Sequence, residues 1–368
     1  MQNTDDDPNP APHPVSLPIK LDSIQFLSAL AAMLVVVYHA QLDFSLNISK
    51  PSFVGESYLF AFGAVGVHIF FVISGFIMVF ASKFEPKFDA KAFFRRRILR
   101  IYPIYWICAA LYLSFHALMS ITYELTVREY FGAIFLLPDY SSKIIGPGWT
   151  LAFELFFYFC FGVSMLAGLN RGLLLLTVVF FGLVAVGLIL PFENQLWNFL
   201  TNTLLMEFLA GSAVGWLFIR GYLPKSLGFT FLMGALILFS FGIGYGYDGL
   251  PSALMWGVPS VLLVAGCVSI EASRVIPDWV SKIGHFGDSS YALYLIHILL
   301  ITITVQLFSR LSIPLAPPPA VLAVFVAIIA LICSELLHHR IEKPLLSWLY
   351  VRRQKGTPVS GANTRSIV

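Results

Sequence analysis

Charged residues are scarce in this chain. Asp, Glu, Lys and Arg make up 12% of its 368 residues, whereas 58% are hydrophobic and the mean hydropathy is +0.82. A water-soluble domain carries about 25% charged residues. The deficit excludes a soluble enzyme, and we expect no nucleic-acid partner. It predicts an all-α, polytopic integral membrane protein.

Cysteines are also few, and their placement suggests neither a disulfide framework nor a metal site. The chain has four, widely spaced within apolar runs. No pair has the spacing of metal ligands. Glu335, His338 and His339 have a helical spacing that could hold a metal, but we expect water to satisfy them at a helix end. The sequence therefore predicts no metal.

Long polar segments are confined to the ends of the chain and one connection. Residues 1–18 are acidic and Pro-rich, which predicts a disordered cytoplasmic tail and not a signal peptide. Residues 351–368 predict a basic cytoplasmic tail, and residues 19–350 one transmembrane domain. About ten apolar runs are long enough to span a bilayer: 22–43, 60–82, 99–119, 149–168, 172–191, 197–219, 227–246, 252–270, 286–308 and 319–339.

The distribution of basic residues predicts the orientation of these runs. Lysine and arginine concentrate in the even-numbered connections and near the C-terminus, and Lys20 precedes the first run; the odd-numbered connections hold only Lys50, Arg128, Lys143 and Arg310. The positive-inside rule then places the N- and C-termini in the cytoplasm. The longest outer connection is 120–148, and we expect its apolar part, 131–137, to lie at the interface or to re-enter the bilayer.

A histidine inside the first run is the main candidate for function. His39 lies among valine and tyrosine residues of run 22–43, where an ionisable group is costly. Ser28 shares its helical face, because eleven steps of about 100° make roughly three turns. The histidine is either functional or satisfied by a neighbouring helix, and this run alone favours neither.

Four arginines form the densest basic cluster, in the inner connection at 91–100. They are Arg95, Arg96, Arg97 and Arg100. The positive-inside signal explains part of the cluster, but the number exceeds what orientation requires. Arginine forks suit phosphate oxygens. A cytosolic phosphorylated ligand or anionic lipid headgroups would fit this cluster.

Polar residues interrupt several other runs. Glu154 lies about one turn inside run 149–168, with Tyr158 one turn further on the same face. A structural hydrogen bond between helices and a polar group at an acceptor site both remain open for this pair. Ser290, Tyr294 and His297 form one helical stripe. Further insertions are His68 and Glu207, and Trp149 begins the run that holds Glu154.

In order along the chain, these motifs resemble the acyltransferase 3 family of integral membrane O-acyltransferases, in particular the branch that acetylates bacterial exopolysaccharides. The resemblance covers about residues 20–350. Its pieces are Tyr38-His39, 66–76, 96–106, 148–158, Glu207-Phe208, 290–297 and 341–344. Each piece alone is weak, and their order on a ten-helix frame makes the match specific.

The resemblance implies transfer of an acyl group, by default acetyl, from cytosolic acyl-CoA to a hydroxyl of a cell-surface carbohydrate or exopolysaccharide precursor. It implies that the protein lies in the bacterial inner membrane. The implied partners are acyl-CoA, a carbohydrate or lipid-linked saccharide acceptor, and membrane lipids. The implied catalytic residues are His39, Glu154 and His297. Acyl-CoA would be bound by Arg95, Arg96, Arg97, Arg100 and Ser28, and the acceptor by His68, Trp149, Tyr158, Ser290 and Tyr294.

Two positions depart from the family pattern. The family places an arginine eleven residues before the first-helix histidine, where this chain has Ser28, which offers no charge and no fork. His68 stands where many members carry aspartate. The departure at Ser28 keeps an inactive relative open as an alternative. A membrane transporter is the other alternative, although no pair of inverted repeats is visible.

Overall fold

The computed structural model describes residues 20–48, 61–84, 87–121, 124–245, 251–273, 276–311 and 317–351. These residues contain ten helices long and apolar enough to cross a membrane, which confirms the all-α, polytopic prediction. The predicted tail 1–18, and all of the C-terminal tail except Val351, lie outside the described residues. We number the α-helices in chain order: α1 Asp22–Asn47, α2 Val65–Ser82, α3 Ala90–Leu118, α4 Val127–Ile134, α5 Gly148–Ser164, α6 Leu169–Ile189, α7 Gln195–Leu200, α8 Leu205–Ile219, α9 Gly228–Tyr245, α10 Val258–Glu271, α11 Asp278–Gly284, α12 Ser290–Leu311, α13 Pro319–Leu337 and α14 Lys343–Val351.

The third spanning helix begins earlier than its apolar run suggests. Helix α3 starts at Ala90, so the arginine cluster lies on the helix, and the prediction of a loop there is wrong. Asp89 caps this start, because its side chain accepts a hydrogen bond from the Ala92 N–H at 3.0 Å. Arginine, lysine and alanine are good helix formers. Hydropathy locates only the apolar part of such a helix.

The last spanning helix continues beyond its predicted end. A π turn, His338–Glu342, links α13 to α14, which runs on to Val351. Pro344 lies beyond the predicted run 319–339 and occupies the first turn of α14, where a missing N–H and a preset φ are tolerated.

Part of the long connection between α3 and α5 folds back along α3. Three aromatic side chains of α3 donate to the last carbonyls of α4: Tyr105 to Ala133 at 2.7 Å, Trp106 to Ile134 at 3.0 Å and Tyr102 to Phe135 at 3.0 Å. Tyr105 lies 13 positions before Leu118, the last residue of α3, which is about 20 Å along a helix. The segment therefore packs against the middle of α3, as the re-entrant alternative predicts.

Helix α4 begins with a capping box formed by Thr126 and Glu129. The Thr126 N–H donates to the Glu129 carboxylate at 2.9 Å, and its hydroxyl donates to the same oxygen. These bonds and the nearby Lys143 ammonium, 3.2 Å away, lower the pKa of Glu129. The N-terminal turn of α4 is thus held by local polar contacts.

Helices α2 and α8 pack with their backbones in contact, which brings His68 and Glu207 together. A Cβ added at Gly75 would lie 2.0 Å from the Phe208 carbonyl oxygen, and one at Gly211 would lie 2.0 Å from that of Val72. Only glycine allows this approach.

Replacing Gly75 with alanine is expected to destabilise the protein by about 1–3 kcal/mol, because the new methyl group must push α8 away. The measurement is thermal unfolding in detergent. Gly182→Ala is the matched control, since a Cβ at Gly182 on α6 meets no atom within 4 Å. Equal melting temperatures for the two variants would contradict the close packing.

Candidate active site

Two histidines from α1 and α12 form a pair inside the bundle. His39 Nδ1 lies 3.2 Å from His297 Nε2 and 3.1 Å from the Val35 carbonyl oxygen. The two ring centroids are 5.2 Å apart. His297 is fully buried, and His39 is half-buried. The structure therefore brings together two of the three residues implied to be catalytic.

The His39 ring borders a cavity of about 290 Å³. His68, Trp149 and Tyr294 line the same cavity. Its size is near the lower end of the roughly 300–1,000 Å³ of small-molecule sites. Three of the five residues implied for the acceptor thus face one space with His39.

A tyrosine of this wall is anchored to the start of α5. The Thr150 and Tyr294 hydroxyl groups lie 2.7 Å apart and share a hydrogen bond, and both approach the Pro147 carbonyl oxygen, at 2.9 and 3.4 Å. Tyr294 lies one turn before His297, with ring centroids 5.9 Å apart. These hydrogen bonds hold the Tyr294 ring between the histidine pair and the N-terminus of α5.

A buried carboxylate holds the second histidine of the cavity. His68 Nδ1 lies 2.7 Å from Glu207 Oε1, and the two residues are 7% and 2% exposed. An ionised carboxyl group only accepts, so His68 Nδ1 is the donor when Glu207 is ionised. Sequence reasoning noted Glu207 without giving it a role. The available signal was a carboxylate inside an apolar run, which requires a partner.

Glu154 and Tyr158 lie in a separate polar cluster and do not line the cavity. The Tyr158 hydroxyl donates to Glu154 Oε1, and Ser74 donates to the same oxygen at 3.1 Å. The guanidinium carbon of Arg97 lies 5.4 Å from the centre of the Tyr158 ring. Glu154 therefore lies beside the arginine cluster, and its catalytic role stays a prediction.

Arg97 is the buried member of the arginine cluster. Its side chain is 7% exposed and lies between the rings of Phe93 and Tyr158. Its Nε has no hydrogen-bond partner among the described residues. Arg95 donates to the Leu349 carbonyl at 3.2 Å, so the cluster adjoins the end of the last spanning helix. Arg96 and Arg100 are half-buried beside them.

Two serines of the implied site bond to nearby backbone. The Ser28 hydroxyl donates to the Ile24 carbonyl at 2.9 Å, and that of Ser290 donates to the Gly287 carbonyl at 2.7 Å. Neither lines the cavity. The predicted stripe on α12 therefore contributes Tyr294 and His297, but not Ser290, to the surroundings of His39.

The polar residues of the last helix separate into two groups away from the cavity. His338 pairs with Glu342 at 2.9 Å, whereas Glu335 and His339 pair at 3.3 Å. The ligand atoms of His285, Glu335 and His339 lie within 4.8 Å of one another. Spacing along one helix could not reveal the approach of His285, which lies 50 positions before Glu335.

The described residues thus form a bundle of ten candidate spanning helices around a histidine-lined cavity, which is the architecture of a multi-pass membrane protein. Comparison with known families identifies the chemistry. A model of the acyltransferase domain matches residues 21–337, so the chain belongs to the acyltransferase 3 family and is an acyltransferase.

Two relatives agree with this assignment. The exopolysaccharide production protein ExoZ of Rhizobium meliloti (strain 1021) is 31% identical over 296 residues, covering 78% of this chain and 90% of ExoZ. The acyltransferase MdmB of Streptomyces mycarofaciens is 24% identical over 384 residues, covering 92% of this chain and 95% of MdmB. No solved structure matches.

Proposed function

We propose that this protein transfers an acyl group, by default acetyl, from cytosolic acyl-CoA to a hydroxyl of a cell-surface carbohydrate or exopolysaccharide precursor, in the bacterial inner membrane. The observation that carries the proposal is the His39–His297 pair, with His39 at the wall of a cavity inside the bundle. The 31% identity to a protein named for exopolysaccharide production supports a carbohydrate acceptor.

His39 is the group that acts on the reacting atoms. A carbonyl oxygen only accepts, so the contact with Val35 favours a proton on Nδ1 of neutral His39 and leaves Nε2 as the basic nitrogen. Acyl transfer requires an activated hydroxyl, a stabilised oxyanion and exclusion of water. His39 serves as the general base or as a relay for the acyl group, and His297 positions its ring.

The arginine cluster is the donor side of the site. A buried guanidinium is normally paired, yet Nε of Arg97 lacks a partner. A phosphate of acyl-CoA would supply it, with Arg95, Arg96 and Arg100 contacting the other phosphate oxygens. The predicted cytoplasmic position of both termini puts this cluster where cytosolic acyl-CoA arrives. Glu154 and Tyr158, next to Arg97, then lie between the donor and His39. No metal takes part in the proposed reaction.

The acceptor occupies the cavity. The Trp149 and Tyr294 rings offer faces for a sugar ring, and His68 offers a polar atom for its hydroxyl groups. The volume of about 290 Å³ suits one hexose unit with the rest of the saccharide outside.

Ser28 favours a second candidate, an inactive relative. Its hydroxyl already donates to the Ile24 carbonyl, so it has no further proton for the donor. In the proposed reaction, Arg97 supplies the contact with acyl-CoA that Ser28 does not make.

The test is release of CoA from acetyl-CoA by the purified protein in liposomes, for the native chain and for Ser28→Arg and His39→Ala. We expect turnover by the native chain, little change in Ser28→Arg and loss in His39→Ala. If the native chain releases no CoA and Ser28→Arg does, the protein is an inactive relative. No CoA release by the native chain or by Ser28→Arg would refute the proposed donor.

A further inference from the structure

The Glu207 carboxylate has an oxygen without a partner. Oε1 accepts from His68, whereas the buried Oε2 has no hydrogen bond within the described part of the chain. A buried oxygen without a partner destabilises the folded protein, so a functional role is the expected reason for its presence. Gly257 packs against the same side chain, since a Cβ there would lie 2.8 Å from Oε1. The carboxylate is therefore held close to His68 by its surroundings.

This carboxylate determines which nitrogen of His68 can react. Nδ1–H donates to Glu207 at 2.7 Å, so Nε2 of the neutral ring is the accepting nitrogen. His68 and His39 line the same cavity. Two basic imidazole nitrogens can thus serve one acceptor site, but only His68 has a carboxylate behind it. A carboxylate in that position stabilises the imidazolium that forms when the ring takes a proton.

We propose that His68 is the general base for the acceptor hydroxyl and that Glu207 is its positioning residue. This rests on the proposed function. His39 then has the relay role of the two proposed for it. Its Nε2 takes the acyl group as the bond from the acyl carbon to the CoA sulfur breaks, and the CoA thiolate takes a proton from water. The acceptor hydroxyl oxygen next bonds to the acyl carbon as the bond from that carbon to Nε2 of His39 breaks, and the hydroxyl proton passes to Nε2 of His68 and then to water.

Glu207→Gln tests the positioning role, because glutamine keeps the shape and removes the charge. The probes are radiolabelled acetyl-CoA and octyl glucoside below its critical micelle concentration, with CoA release and labelled glucoside measured in parallel. We expect kcat for transfer to the glucoside to fall by about 10²-fold or more. KM for acetyl-CoA should change less than about twofold. Of the acetyl that is still released, more should end on water.

Two further variants separate this role from a structural one. Glu207→Asp keeps a carboxylate and should recover part of the lost rate. His68→Ala should show the same loss, and added imidazole should restore part of it, which repair of folding would not explain. The matched control is His116→Gln, since His116 is a buried histidine that contacts the Tyr112 carbonyl and does not line the cavity.

The outcomes distinguish the two proposals. If the native protein transfers acetyl and Glu207→Gln keeps more than a third of its kcat, the role of His68 and Glu207 is refuted and the proposed function stands. Equal losses of CoA release and transfer in Glu207→Gln would also refute it, by indicating a structural pair. If the native protein does not consume acetyl-CoA, both proposals fall together.

Discussion

Replacing His39 with alanine is expected to lower acetyl transfer by about 10³-fold, within the 10²–10⁴-fold that a positioned acid or base contributes. The reason is the position of the ring. Its Nδ1 contacts the Val35 carbonyl oxygen and His297 Nε2, and the ring borders the cavity proposed to bind the acceptor. His68 lines the same cavity but is held by Glu207 between α2 and α8, so we expect it not to replace His39.

The measurement is the kcat for CoA release and for transfer by protein of verified folding, judged by its melting temperature. His297→Gln is expected to lose less, about tenfold, because it removes the support of the His39 ring and leaves the ring itself. His116→Gln, which changes a histidine outside the cavity, should retain the native rate. Transfer by His39→Ala at more than a tenth of the native rate would remove His39 from the reaction.

The ten spanning helices could be predicted from the sequence because length and hydropathy decide them. An apolar run such as 172–191 has the length of a helix that crosses the bilayer. The structure has α6 there, at Leu169–Ile189. The ends were less predictable where polar residues continue a helix. Helix α3 begins at Ala90, where Asp89 caps it. Hydropathy does not detect this first turn, because it locates only the apolar part of a helix.

The members of the site could be found as polar residues in apolar runs, but their partners could not. His39 and His297 are 258 positions apart, and His68 and Glu207 are 139 apart. Helical periodicity relates residues only within one helix. It placed Ser290 on the same stripe as His297, yet Ser290 bonds to its own turn. Contacts between helices depend on close packing such as that at Gly75, which spacing does not encode.

Replacing Arg97 with glutamine is expected to raise KM for acetyl-CoA by about ten- to a hundredfold, because a charge-assisted hydrogen bond contributes about 1.5–3 kcal/mol. Arg97 is the buried arginine of the cluster, and its Nε lacks a partner among the residues that the structure describes. Arg97→Lys keeps the charge without the fork and should recover only part of the affinity. The control is Arg171→Gln, which changes an exposed arginine at the start of α6 and should leave KM unchanged.

Salt distinguishes a phosphate contact of Arg97 from a general attraction by the basic helix end. Exposed charges are screened beyond about 8 Å at physiological ionic strength, and buried pairs much less. If Arg97 binds a phosphate directly, the ratio of KM between Arg97→Gln and the native protein should persist as salt is raised, while the native KM itself increases. A ratio that falls to one at high salt would mean that Arg97 acts only through the field of the cluster. The buried position of the guanidinium between two aromatic rings favours the direct contact.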